Sequence, residues 1–327
     1  MRDYVAQLPD YTCRVTLERF ARRSARAPFA LSDRIRLEVA YAGGEELYSW
    51  PDAGRFAARI EDLLPGHGMM SNGSYALHMR NLFVRDVATF SAPHDERCEG
   101  RGCVRVDFDI PASRSGYFIS SGGSAARAPL VGSAWFDRES LDIMKLEVRV
   151  DDTSVGIAST RETTTYAHAI IGDREFVLPA TSELLLKDRN GAEMRNASVF
   201  DRYHRYAGSA TIFYGAGADA RRPAPAPTHD ALPEGKSLTA MLDGALREDC
   251  AIGDPVGVTT REGTHYTVRI VGMRQAGKRW LIDLRVGNLV RTSLQLPLAA
   301  GHGIMFRTDK FLFYRRSSAA KDVSGKT

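Results

Sequence analysis

The sequence predicts a mainly β chain in two units. Three observations carry that reading. Apolar and polar residues alternate strictly through several segments. Short Gly- or Asn-containing turns separate those segments. A Pro/Ala stretch, Arg-Arg-Pro-Ala-Pro-Ala-Pro within 218–230, divides the chain. Successive strand side chains point to opposite faces, so alternation marks one buried and one wet face. Proline-rich stretches are extended and bury little. The division is therefore placed at 1–215 for the first unit, 216–231 for a linker, 232–316 for a small β-barrel, and 317–327 for a disordered tail.

Residues Arg2 to Gln7 suit a short helix, stopped at Leu8-Pro9-Asp10. Tyr11, Cys13, Val15 and Leu17 alternate with Thr12, Arg14 and Thr16 in a first strand. Ile35, Leu37, Val39 and Tyr41 define a second, and Gly43-Gly44 turns it into Glu46 to Trp50. Phe56 to Leu64 fits strand or helix. Ser74 to Val84 has helical spacing, with Tyr75, His78, Met79, Leu82 and Phe83 on one stripe. Strands follow at Val87 to Phe90 and Val104 to Ile110, where Val104, Val106, Phe108 and Ile110 share a side. Tyr117 to Ser120 is another, and Ser121 to Ser124 is a flexible connection.

Next comes a meander. Val131 to Phe136 turns at Asp137 to Ser140 into Ile143 to Val150, with Met144, Leu146, Val148 and Val150 on one side. A Thr-rich strand from Thr163 to Ile171 returns through Phe176 to Leu178. Ser182 to Lys187 and Ala197 to Tyr206 make a further hairpin, and Ala210 to Tyr214 a last strand. Beyond the linker, strands are expected at Val256 to Thr260, Tyr266 to Val271, Trp280 to Val286 and Ile304 to Phe306, with Phe311 to Tyr314 as a further one. Short strands with frequent turns suit a small barrel.

Composition narrows the function. The 327 residues carry 44 basic and 40 acidic side chains, interspersed, for a net charge of +4. That is no nucleic-acid footprint. No apolar run reaches the roughly 18 residues of a membrane span, and no signal peptide is recognised. Cys98 and Cys103 flank Glu-Gly-Arg-Gly. A bridge between them is expected, with Gly100 and Gly102 permitting the turn, and is worth about 2 kcal/mol. Two unbridged loop thiols are the alternative. A bridge implies an oxidising compartment. The pairing of Cys13 and Cys250 is left open.

The chain has no Gly-x-Ser-x-Gly, His-Glu-x-x-His or Walker pattern, so no catalytic residue, cofactor or metal is assigned and no enzyme is expected. His94-Asp95-Glu96 beside Cys98 is a weak metal candidate, because consecutive residues point apart. His67 and His302 lie in Gly-x-Gly turns, and Asp107 and Asp109 read as a solvated strand face.

The order of a short helix, antiparallel strands, an inserted helix at Ser74 to Val84, Ala134-Trp135-Phe136-Asp137 with its return Leu141 to Glu147, and Tyr166 through Phe176-Val177-Leu178-Pro179 to Ser182-Glu183 resembles the LolA-like superfamily of periplasmic lipoprotein and lipid carriers. Leu8 to Cys13, Leu-Pro-Asp-Tyr-Thr-Cys, also resembles the opening of bacterial envelope proteins without assigned function. Trp135-Phe136-Asp137 departs from the family's simpler W-x-D-like turn. The resemblance implies an antiparallel half-barrel with a helical lid over an apolar concave face, holding an acyl chain, a lipid or a lipid-modified partner in the periplasm or envelope. The family's lid-clamping arginine is matched to no position here. Wall candidates are Leu37, Val39, Val106, Phe108, Leu146 and Val148; lid candidates are Tyr75, Met79, Leu82 and Phe83. A filled core serving as an interaction scaffold is the alternative.

Overall fold

The structure, a computed structural model, describes residues 2–53, 56, 60–63, 76–121, 124–151, 156–206 and 237–308. Two compact units are present, Met1–Gly208 and Ser209–Thr327. The expected linker, the tail, the strands at Ala210 to Tyr214 and Phe311 to Tyr314, and lid candidate Tyr75 lie outside the described residues.

In the first unit, helix α1 (Arg2–Gln7) precedes β1 (Tyr11–Arg22), β2 (Ala30–Ala42) and β3 (Glu45–Ser49). The short helices α2 (Ile60–Leu63) and α3 (Ala76–Met79) follow, and α3 runs into a π-helical turn, Arg80–Val84. Next come β4 (Thr89–Phe90), β5 (His94–Cys98), β6 (Arg101–Ile110), β7 (Phe118–Ser121), β8 (Ser124–Arg127), β9 (Leu130–Asp137), β10 (Ile143–Asp151), β11 (Ile157–Ile171), β12 (Arg174–Asp188) and β13 (Glu193–Arg205). The large antiparallel sheet runs β3-β2-β1-β13-β12-β11-β10-β9-β6-β4, with β5 on β6; β7 and β8 pair apart.

That sheet is curled. Laid flat, the nine spacings from β3 to β4 would cover about 43 Å, whereas the helical stretch 76–84 is about 14 Å long. Yet α3 lies against β3, while Phe83 stacks on Phe90 of β4 at 5.9 Å and meets Phe136 of β9 edge-on at 6.2 Å. Both edges reach one short segment only if the sheet wraps around it. The result is the expected antiparallel half-barrel with helical elements over its concave side.

Several elements differ from expectation. The lid is not one helix from Ser74 to Val84. Its described part is a four-residue α-helix and a π turn, and there His78 is buried among polar groups rather than in an apolar stripe. Phe176 to Leu178 and Ser182 to Lys187, read as separate segments, are one strand, β12. Pro179 is tolerated because it sits beside a bulge, facing Tyr166, where a missing N–H breaks no regular ladder. Ser121 and Ser124 pair across a hairpin rather than forming a loose connection. In the Cys98–Cys103 turn, Glu99 and Gly100 take positive φ, 50° and 85°, whereas Gly102 is already in β6.

The second unit is a closed six-stranded barrel of β14 (Ser237–Leu242), β15 (Pro255–Thr260), β16 (His265–Ala276), β17 (Arg279–Val286), β18 (Leu289–Gln295) and β19 (Gly303–Thr308). Closure leaves no edge strand. Val258, Val268, Ile270, Ile282, Leu284, Leu289 and Phe306 are fully buried and fill its interior. On its surface, Asp243 accepts from Thr259 at 2.6 Å and pairs with His265 Nδ1 at 2.9 Å. Thr259 thus donates to the carboxylate, not to the imidazole, and is not an activated nucleophile.

Candidate functional site: the concave face

Strand register sets the composition of the concave face. One row runs from Val106 through Ala134, Leu146, Thr164, Ser182, Ser198 and Leu17 to Ile35. A parallel row runs Phe108, Gly132, Val148, Glu162, Leu184, Asn196. The wall is therefore apolar on β6, β9 and β10, polar across parts of β11, β12 and β13, and apolar again on β1 and β2. The predicted wall residues fall into two groups, Val106, Phe108, Leu146 and Val148 on one flank and Leu37 and Val39 on the other. Alternation within each strand made both flanks legible. The polar strip between them arises only from pairing of distant strands.

Phe108, Leu146, Val148, Leu37 and Val39 are buried, as are lid residues Met79 and Leu82; Val106 and Phe83 are half-buried. On the β1–β2 flank a small cavity of about 50 Å³ remains, walled by Cys13, Val15, Leu37, Val39 and Phe200 and reached by Ile60 of α2. Cys13 is a buried thiol whose pKa burial pushes well up, so it behaves as a small apolar group.

The polar strip is roofed by the lid. His78 Nε2 lies 3.1 Å from Glu162 Oε2, with side chains only 1% and 4% exposed. Ser182 Oγ donates to Glu162 Oε1 at 3.0 Å, and Thr164 Oγ1 to Ser182 Oγ at 3.3 Å. Tyr117 stacks on the imidazole at 5.7 Å. One turn on, Asn81 is fully buried, its Oδ1 accepting from Arg85 at 3.4 Å. Gly116 packs on that amide, where a Cβ would come within 2.9 Å of the Arg85 guanidinium. His78 Nδ1 and Asn81 Nδ2 are buried and have no hydrogen-bond partner among the described residues. Tyr166, nearby on β11, has its hydroxyl pKa raised by burial and by the Glu162 carboxyl.

A second concavity, of about 810 Å³, lies where the β5–β6 hairpin meets the ends of β9 to β12. Its central residue is Trp135, whose indole N–H donates to Glu96 at 2.9 Å and whose ring carries Lys145 Nζ at 3.7 Å. The Trp135 bond, with Arg105, holds the Glu96 carboxyl below its ordinary pKa. Cys98 and Cys103 are bridged, as expected. Glu96 and the two sulfurs lie close enough for a metal, but the disulfide removes the thiolates that would bind one. His94 meets Glu96 while Asp95 meets Arg138, so the His94-Asp95-Glu96 run does not converge. Asp107 is engaged by Arg105 and Ser133 rather than by a second carboxyl.

No family model and no curated protein matches the chain. Among solved structures it is similar to a LolA superfamily protein from Nitrosomonas europaea (9% identity, TM-score 0.32, 62% of this chain and 89% of that one). It is similar also to a DUF1329 family protein from Desulfovibrio piger (11%, 0.35, 64% and 90%). A third is a domain described as an outer membrane lipoprotein-sorting protein from Vibrio parahaemolyticus (13%, 0.29, 61% and 87%). These neighbours include the superfamily that the sequence resembles. Likeness this distant decides neither fold nor function, which rest on the geometry above.

Proposed function

We propose that the first unit is a non-enzymatic binding module for one acyl chain, carried by a lipid or a lipid-modified partner, in an oxidising compartment of the cell envelope. The observation that carries this reading is the composition of the wall. Two apolar flanks, one on β6, β9 and β10 and one on β1 and β2, line the concave side beneath the helical elements, and Met79 and Leu82 of the lid are buried with them. An acyl chain seated against a flank in place of lid side chains keeps that surface from water, and each methylene it buries contributes about 0.8 kcal/mol. The Cys98–Cys103 bridge supports the compartment, since such bridges persist outside reducing cytosol.

One observation favours the filled-core scaffold instead. The wall residues other than Val106 are already buried, and the β1–β2 cavity of about 50 Å³ is far smaller than an acyl chain. The readings separate at Val39, which lines that cavity. Val39→Phe fills the space without adding charge. For a binding wall, Nile red affinity is expected to fall about tenfold, the equivalent of one buried contact, while Tm drops by about 2–10 °C from overpacking. Unchanged Nile red affinity in a folded Val39→Phe chain would count for the scaffold.

A further inference from the structure

We infer that the head of the bound chain is a free carboxyl group, received by His78 and Asn81 at the polar strip. This rests on the acyl-binding reading above and names the ligand class it leaves open. The two residues are three apart on the turn that joins α3 to the π segment, so their side chains are neighbours on one side of it. Both are at most 1% exposed. Each presents one buried nitrogen with no partner among the described residues, Nδ1 of His78 and Nδ2 of Asn81. Buried polar atoms are nearly always satisfied, and an exception points to a water or a ligand.

The chemistry of the two atoms selects the ligand. The Asn81 amide is oriented by Arg85 donating to Oδ1, which leaves Nδ2 as a donor seeking an oxygen acceptor. His78 Nε2 is held by Glu162, so Nδ1 is the free ring atom, as donor or acceptor according to the imidazole's protonation. A carboxyl group serves both atoms in either state. One oxygen accepts from Asn81 Nδ2–H; the other shares a single proton with His78 Nδ1, as carboxylate with imidazolium or as acid with imidazole. An ester has no proton to share with Nδ1, and a cationic head repels the Asn81 donor. Glu162 on the polar strip holds His78 there, between the two apolar flanks, with Asn81 three residues on along the same turn. That is the arrangement an amphiphile needs: chain against a flank, head at the strip.

The test is displacement of Nile red from the full chain by three amphiphiles of equal chain length: dodecanoate, methyl dodecanoate and dodecyltrimethylammonium. Dodecanoate is expected to bind at least about tenfold tighter than the other two, the worth of a charge-assisted hydrogen bond. Asn81→Leu is expected to weaken dodecanoate and methyl dodecanoate together, because either offers Nδ2 an oxygen, and to keep or raise Tm, because it deletes an unsatisfied buried donor. Asn81→Asp, which keeps the shape but replaces the donor by an acceptor, is expected to weaken dodecanoate more than its methyl ester. Equal binding of dodecanoate and its ester by the parent chain would mean that ordered water occupies the site, and would overturn the headgroup while leaving chain binding intact. Failure of every amphiphile to displace Nile red would overturn the acyl-binding reading, and this inference with it.

Discussion

His78→Leu is expected to destabilise the first unit by about 3–5 kcal/mol, because it strips a buried carboxyl of its imidazole partner. Glu162 is 4% exposed at its side chain and keeps only the Ser182 hydroxyl from the network described above. Glu162→Leu should cost a similar amount by orphaning the imidazole. The double variant His78→Leu/Glu162→Leu should recover most of the loss, since replacing both members of a buried polar pair by apolar groups of similar size is often nearly neutral. Urea denaturation of the three variants gives the coupling energy, expected at several kcal/mol. Additive losses would mean that the pair does not hold the lid to β11.

Gly132→Ala is expected to cost about 3 kcal/mol or more. A Cβ at Gly132 would strike the carbonyl oxygen of Glu147 on the neighbouring strand β10, and would come within 2.6 Å of Phe108 Cζ. The Phe108 ring already fills the space above the glycine. Backbone on one side and a packed ring on the other leave little to give way. For a domain of this size the loss corresponds to a Tm drop of about 6–12 °C by calorimetry. A drop below about 2 °C would mean that β9 and β10 do not pair in this register.

Much of the fold was legible in the sequence. Local alternation exposed β1, β2, β6, β10 and β16, because a half-buried strand writes its period directly into the residues. The missed strands have local causes. The β5 segment, His94–Cys98, is mostly charged and exposed, while β18 carries Arg-Thr-Ser in its exposed middle. β5 has no apolar face to announce it, and in β18 that middle separates the buried Leu289 from Leu294; β14, by contrast, alternates Leu238, Ala240 and Leu242 and was legible but not read. The lid's helical periodicity was legible to Val84, but not that its last turn, Arg80–Val84, is π-helical.

The candidate site was legible only in halves. Leu37 and Leu146 could be named as wall because each lies in an alternating strand. Nothing local marks Glu162, set in a run of Thr and Arg, as the partner of His78, which is 84 residues away. Helical spacing placed His78 correctly on the inner side of the lid. It could not say that the wall opposite is polar, because that depends on the register of β10, β11 and β12.

Native mass spectrometry of the gently purified full chain tests acyl binding most directly. A mass above that of the singly bridged chain, falling to it when the protein is unfolded in organic solvent and releasing an acyl-bearing molecule, is the predicted result. A single mass equal to that of the bridged chain alone, unchanged after incubation with dodecanoate, would contradict it.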